Sequence, residues 1–158
     1  MFKMKDLTIT LVLGLFAVLC TTACSKKDEH STREMTLLEK EIGKDNLEIL
    51  KSPQSVSKFS VIRSLDLPYV PMSREVVLTK DEISQWQNVL LNDKSYHYDI
   101  KKKVVFIPAV ALKFIKDKEV VVLLSPLAKQ LKIILPGKTV TLDYDPAQEQ
   151  FAALLQEK

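Results

Sequence analysis

Four groups of residues in this chain have types and spacings that could do chemistry: Ser95, His97 and Asp99; the pair Asp143 and Asp145; Cys24; and the lysines from Lys94 to Lys138. His97 and Asp99, with any of several serines, are the residue types of a nucleophilic triad, in which an imidazole takes the hydroxyl proton and a carboxylate orients the imidazole. No Gly-x-Ser-x-Gly run accompanies them. Their alternation has a plainer reading, the solvated face of a strand whose other face is Tyr96, Tyr98 and Ile100. His30 is the chain's other histidine, so a histidine cluster for zinc cannot be assembled. Asp143 and Asp145 together could offer oxygen ligands to a hard cation, but two carboxylates are too few alone. Asp145 also reads as the cap of a helix opening at Pro146. Glycosidase chemistry needs two carboxylates facing across a cleft, which residue order does not place. The sequence therefore assigns no catalytic residue, metal site or cofactor.

Cys24 sits differently. Lys3 and Lys5 are followed by the uncharged run Leu7 to Leu19, the basic then apolar order of a secretory leader. Thirteen helical residues rise only about 20 Å, short of a hydrocarbon core of roughly 30 Å. Extending the stretch to Ala23 reaches the lower edge of spanning length, which keeps an uncleaved anchor as an alternative. The leader, ending in Thr21-Thr22-Ala23-Cys24, resembles those of bacterial lipoproteins. The resemblance implies that the Cys24 thiol receives a diacylglycerol and that cleavage occurs between Ala23 and Cys24. Thr21 departs from the aliphatic residue usual in that family. Cys20 competes poorly, because bulky Leu19 precedes it. Ser25 after the cysteine, with no aspartate there, implies outer-membrane sorting, facing the periplasm, in a Gram-negative cell. The expected organisation is a signal peptide at 1–23, a lipid-anchored tether at 24–31 and a single domain at 32–158.

Cysteine usage and composition agree with this organisation. The two cysteines are Cys20 and Cys24, so the domain beyond the tether would fold with no disulfide. Taking 23 leader residues from 158 leaves 135, a usual size for one domain. Of 23 basic and 20 acidic side chains, Lys3, Lys5 and Asp6 fall in the leader, leaving 21 and 19. That balance does not point to nucleic acid. Only Gly43 and Gly137 follow the leader, so no glycine-rich loop is available to cradle a phosphate.

The elements that must position these groups follow from period and punctuation. Ser25 to His30 is polar and unpatterned, a spacer. Ser31 with Glu34 fits a capping box, and Met35, Leu38 and Ile42 recur at helical spacing, predicting a helix from near Thr32 that stops at Gly43 and Lys44. Asn46 to Leu50 fits a helical turn or a short strand, with helix preferred, and ends before Pro53. Lys58 to Ser64 reads as a strand with Phe59 and Val61 on one side, and Leu67 to Pro71 as a loop. Glu75 to Leu78 reads as a strand. Thr79 with Glu82 then caps a helix to Leu91 whose stripe is Ile83, Trp86 and Leu90. Trp86 at that spacing reads as core rather than as a ligand platform.

Beyond it a meander of strands is expected. Tyr96 to Ile100 alternates and Val104 to Ile107 is apolar up to Pro108. Ala109 to Lys116 places Val110, Leu112 and Phe114 on one face, and Asp117-Lys118 turns it onto Glu119 to Leu124, apolar at five successive positions and so a central strand covered on both faces. Gln130 to Leu135 and Lys138 to Asp143 flank Pro136-Gly137, suited to a type II turn. Phe151, Leu154 and Leu155 give the last helix its apolar face. The fold expected is α+β, a largely antiparallel sheet of six to seven strands with two to three helices packed on one face.

Ser73 to Leu155 resembles a group of uncharacterised bacterial proteins through Arg74, the capped helix, Tyr96, Phe106-Ile107-Pro108, the Val120 to Leu124 hairpin and Asp143-Tyr144-Asp145-Pro146. Cysteines common in that group are replaced here by residues such as Val104, Ser125 and Leu127, so a metal or redox role resting on them does not transfer. The group implies no activity.

Between Lys94 and Lys138 ten lysines face Asp99, Asp117 and Glu119, a local balance of plus seven. A basic sheet face could dock on phospholipid head groups or an anionic partner. The blander reading puts Lys101 to Lys103, Lys116 and Lys118 in turns and uses Lys113 and Lys132 to guard sheet edges. The function expected is binding by a lipid-anchored cell-envelope protein, with a protein partner or an anionic envelope component as ligand. Alternatives are an envelope hydrolase using His97 and a structural component of an envelope complex.

Overall fold

Residues 35–100 and 102–156 are described by the computed structural model. The leader, Cys24, the tether and the Ser31 with Glu34 capping box lie outside them. The helices are α1 Leu37–Ile42, α2 Lys44–Lys51, α3 Lys80–Leu90 and α4 Gln148–Gln156. The strands are β1 Ser55–Ile62, β2 Val70–Pro71, β3 Val76–Val77, β4 Val110–Ile115, β5 Glu119–Ser125, β6 Gln130–Leu135 and β7 Lys138–Asp143. They form one open sheet of order β2-β1-β4-β5-β6-β7, every pair antiparallel, with β3 also pairing with β1. The expected α+β architecture is thus present.

The helices lie on one face of this sheet, because their apolar stripes all enter one core. Leu38 and Ile42, Leu47 and Leu50, Trp86 and Leu90, and Phe151 and Leu154 pack with Val56, Leu112, Phe114, Val122 and Ile133. Trp86 is 2% exposed and lies 6.4 Å from the Phe151 ring, so it is core as its spacing predicted. Strand β5 sends Val120, Val122 and Leu124 into that core and Val121 and Leu123 to the opposite face, where they meet Phe59, Val61 and Ala111. Its unbroken apolar run therefore reports a central strand buried on both sides.

Local signals set most boundaries. Thr79 and Glu82 make the reciprocal capping box, the Thr79 amide donating to Glu82 Oε2 at 2.7 Å. Gly137 at φ +73° supplies the left-handed residue of the β6–β7 turn. Gly43, at φ +83° and ψ 154°, ends α1 where its stop was expected and turns the chain into α2, so Asn46 to Leu50 is helical as preferred, and the described residues hold four helices where two to three were expected.

Three expectations are corrected. The described helix begins at Leu37 rather than near Thr32, because extended Thr36 is its N-cap and accepts from the Glu39 amide at 3.1 Å. Val70–Pro71, expected as loop, pairs with the end of β1, at a sheet edge where proline's missing donor is tolerated. The strands expected at Tyr96 to Ile100 and Val104 to Ile107 do not form. His97 makes a single bridge to Asp143, and residues 102–109 join no ladder. The tyrosines explain the first departure: Tyr96 donates to Leu90 O at 2.8 Å and Tyr98 to Asp93 Oδ1 at 3.0 Å, drawing the chain toward the end of α3.

Candidate functional site

Among the described residues no hydrogen bond joins His97 to Asp99 or to a serine. Ser95 is 2% exposed at the end of a 3₁₀ turn, Asp93–Ser95, while His97 and Asp99 are exposed. Ser95 is therefore not on a solvated strand face either. The strand that would have aligned the three is missing because this segment follows the hydroxyl contacts of Tyr96 and Tyr98.

Asp143 and Asp145 do hold a cation, and it is a side chain of this chain. Lys102 Nζ stands 2.6 Å from Asp143 Oδ2 and 2.7 Å from Asp145 Oδ2. The Asp143 side chain is fully buried at the end of β7, and its Oδ1 accepts from the Asp145 amide at 3.0 Å. This overturns Asp145 as a helix cap. Its carboxylate faces Lys102, with Lys129 Nζ 3.8 Å away, and the turn after Tyr144 is a 3₁₀ turn, Asp145–Ala147, whose N-cap makes no side-chain hydrogen bond. The Lys102 hydrogen bond holds the Asp145 carboxyl below its usual range, against a smaller opposing effect of burial, with Lys129 and His97 adding to the lowering. Burial pulls the Lys102 ammonium down, but the two aspartates together outweigh it and raise it above its ordinary value. Tyr144, beside the same carboxylates, is pushed up to about 12, chiefly by burial, and donates to Ser125 O at 3.1 Å.

Lys102 thereby pins one end of residues 102–109 across the face of the sheet that the helices leave open. The other end is held by the Ile107 amide donating to Ser125 Oγ at 3.2 Å and by buried Pro108. Between them Phe106 packs on the small outer cluster of Phe59, Val61, Ala111, Val121 and Leu123. Lys132 Nζ sits 4.5 Å from the Phe106 ring centre, a cation–π contact. Two hollows meet at Phe106 and Lys132. One, of about 370 Å³, reaches Arg63, Leu67 and Pro68; the other, of about 430 Å³, reaches Ile100, Val104 and Thr141.

The lysines are placed accordingly. Lys113 and Lys132 lie in β4 and β6, which have a strand on each side, so the expectation that they guard edges is corrected. Both side chains instead lie over aromatic rings of the outer face, Lys113 above Phe59 at 5.8 Å with Glu75 as its ion partner. Lys116 and Lys118 occupy the β4–β5 turn as read, the Lys116 amide donating to Lys118 O at 3.1 Å. Among the described residues no group of three or more His, Cys, Asp or Glu side chains is placed to hold a metal, and no helix is long and apolar enough to cross a membrane.

Sequence reading missed Lys102 and Asp93. Asp93 caps α1 from 56 residues away, its Oδ2 accepting from the Leu37 amide at 2.9 Å and its Oδ1 from the Leu38 amide at 3.0 Å. The signals were there only in part: Asp143-x-Asp145 asked for a cation, but the three-lysine run does not say which lysine answers. No protein-family model, curated protein or solved structure matches this chain.

Proposed function

We propose that this protein is a lipid-anchored component of the bacterial cell envelope that acts by binding, through the open face of its sheet. The anchoring rests on the leader and on Ala23-Cys24. The binding role rests on one observation: the helices cover one face of the sheet, while on the other Phe106, Lys132 and Arg63 border two adjoining hollows that mix apolar and basic side chains. Such a surface combines desolvation with attraction for an anionic ligand.

The test is capture from detergent-solubilised envelope using the full anchored chain as bait. Binding predicts recovery of an envelope component above a charge-matched control lipoprotein, reduced by Lys132→Glu. Recovery equal to the control would remove the binding role.

A further inference from the structure

Exposed apolar side chains concentrate in the stretches that border this surface. Of the thirteen large hydrophobic residues exposed among the described residues, eight come from residues 62–72 and 100–107, the stretches that border the Phe106 hollows. Leu65 is 94% exposed and Leu67 59%. Local structure presents them: Ser64 Oγ accepts from the Asp66 and Leu67 amides at 3.3 and 3.2 Å, closing a turn that has Leu65 at its tip. Val104 and Val105, 50% and 60% exposed, project from the segment pinned by Lys102. Concentrations of exposed apolar surface like this mark interaction sites. The charge bordering them is mainly basic, with Arg63, Lys103 and Lys132 against Asp66, while Lys102 is taken up by Asp143 and Asp145.

We infer that this face rests on an anionic phospholipid bilayer, with Leu65, Leu67, Val104 and Val105 entering shallowly and Arg63 and Lys103 at head-group level. The inference rests on the anchored reading above and names the ligand of that surface. Charge complementarity selects the occupant: basic side chains near an anionic leaflet are attracted within a Debye length of about 8 Å. Separate aliphatic tips on two stretches that join no long ladder need no shape-matched partner, and an interface of lipid head groups offers none. Chain length makes the contact frequent. Eleven residues run from Cys24 to Met35, and even fully extended they reach at most about 40 Å. A lipidated Cys24 thus keeps the domain beside the leaflet, where a weak contact acts at high effective concentration.

Full-length protein reconstituted into vesicles of phosphatidylcholine, or of phosphatidylcholine mixed with phosphatidylglycerol, tests this by millisecond hydrogen exchange, with intact mass read on the same sample. Exchange across residues 62–68 and 102–107 should slow about fivefold or more in the anionic vesicles, recover in high salt, and leave α3 unchanged. The double substitution Leu65→Glu, Leu67→Glu, at two exposed positions, should abolish the slowing while α3 exchange stays native. Equal rates in the two vesicles with Cys24 lipidated would overturn the bilayer contact and leave the anchor standing. An unlipidated Cys24 would overturn both. Slowing seen in native envelope membranes but in neither lipid mixture would overturn the inference in favour of a protein ligand.

Discussion

Lys102 bridges two carboxylates that would otherwise repel each other at the end of β7, one of them fully buried. Replacing it with Met keeps the aliphatic stem and leaves Asp143 buried without its cation. Because Asp145 and Lys102 are partly solvated, the expected loss falls below that of a fully buried pair, to about 2 kcal/mol in urea unfolding. The pH dependence follows from the shifts. Asp145 is lowered on folding, so its contribution is present above the unfolded value near 3.8 and disappears as pH falls through the lower folded value. Lys102 is raised, so its contribution is present below 10.5 and disappears as pH rises through the higher folded value. The gap between wild type and Lys102→Met should be widest at neutral pH and narrow at both extremes. A gap independent of pH would contradict the double ion pair.

Among the elements, Gly43 is the position where backbone conformation decides most. Its φ of +83° with ψ of 154° belongs to a region that essentially only glycine enters, and a Cβ there would meet nothing nearer than Asn46 Nδ2 at 4.0 Å. Gly43→Ala should therefore destabilise by backbone strain alone, about 1–3 kcal/mol, read as a lower urea midpoint with an unchanged slope. A loss below about 0.5 kcal/mol, the scale of an ordinary surface change, would contradict that geometry. The hairpins, the Thr79 capping box and the doubly covered β5 were legible in the sequence because turn chemistry and side-chain period are local. Residues 96–107 were not. Tyr96 to Ile100 alternated and Val104 to Ile107 was apolar, as strands are, but a strand also needs a partner, and among the described residues beyond β7 only the His97 bridge is made. The same limit hid Asp93 and Lys102, whose partners lie far along the chain. Ser31 was read as a cap where Thr36, with Glu39 three residues on, offered an equivalent pattern nearer the helix.

At the scale of the whole molecule, the sheet separates two environments. One face is sealed by four helices around Trp86, Phe114 and Phe151; the other carries a small apolar cluster beneath Phe106 and a rim of exposed aliphatic and basic side chains. Such a division suits a domain held at a surface, which returns the question to Cys24. The most direct test is metabolic labelling with a palmitate analogue in a Gram-negative host, followed by membrane fractionation in high salt. Wild-type protein should carry the label and sediment with membranes, while Cys24→Ala should carry none and appear in the soluble fraction. Label incorporated equally by both proteins, or a Cys24→Ala protein that still sediments in high salt, would contradict the lipid anchor.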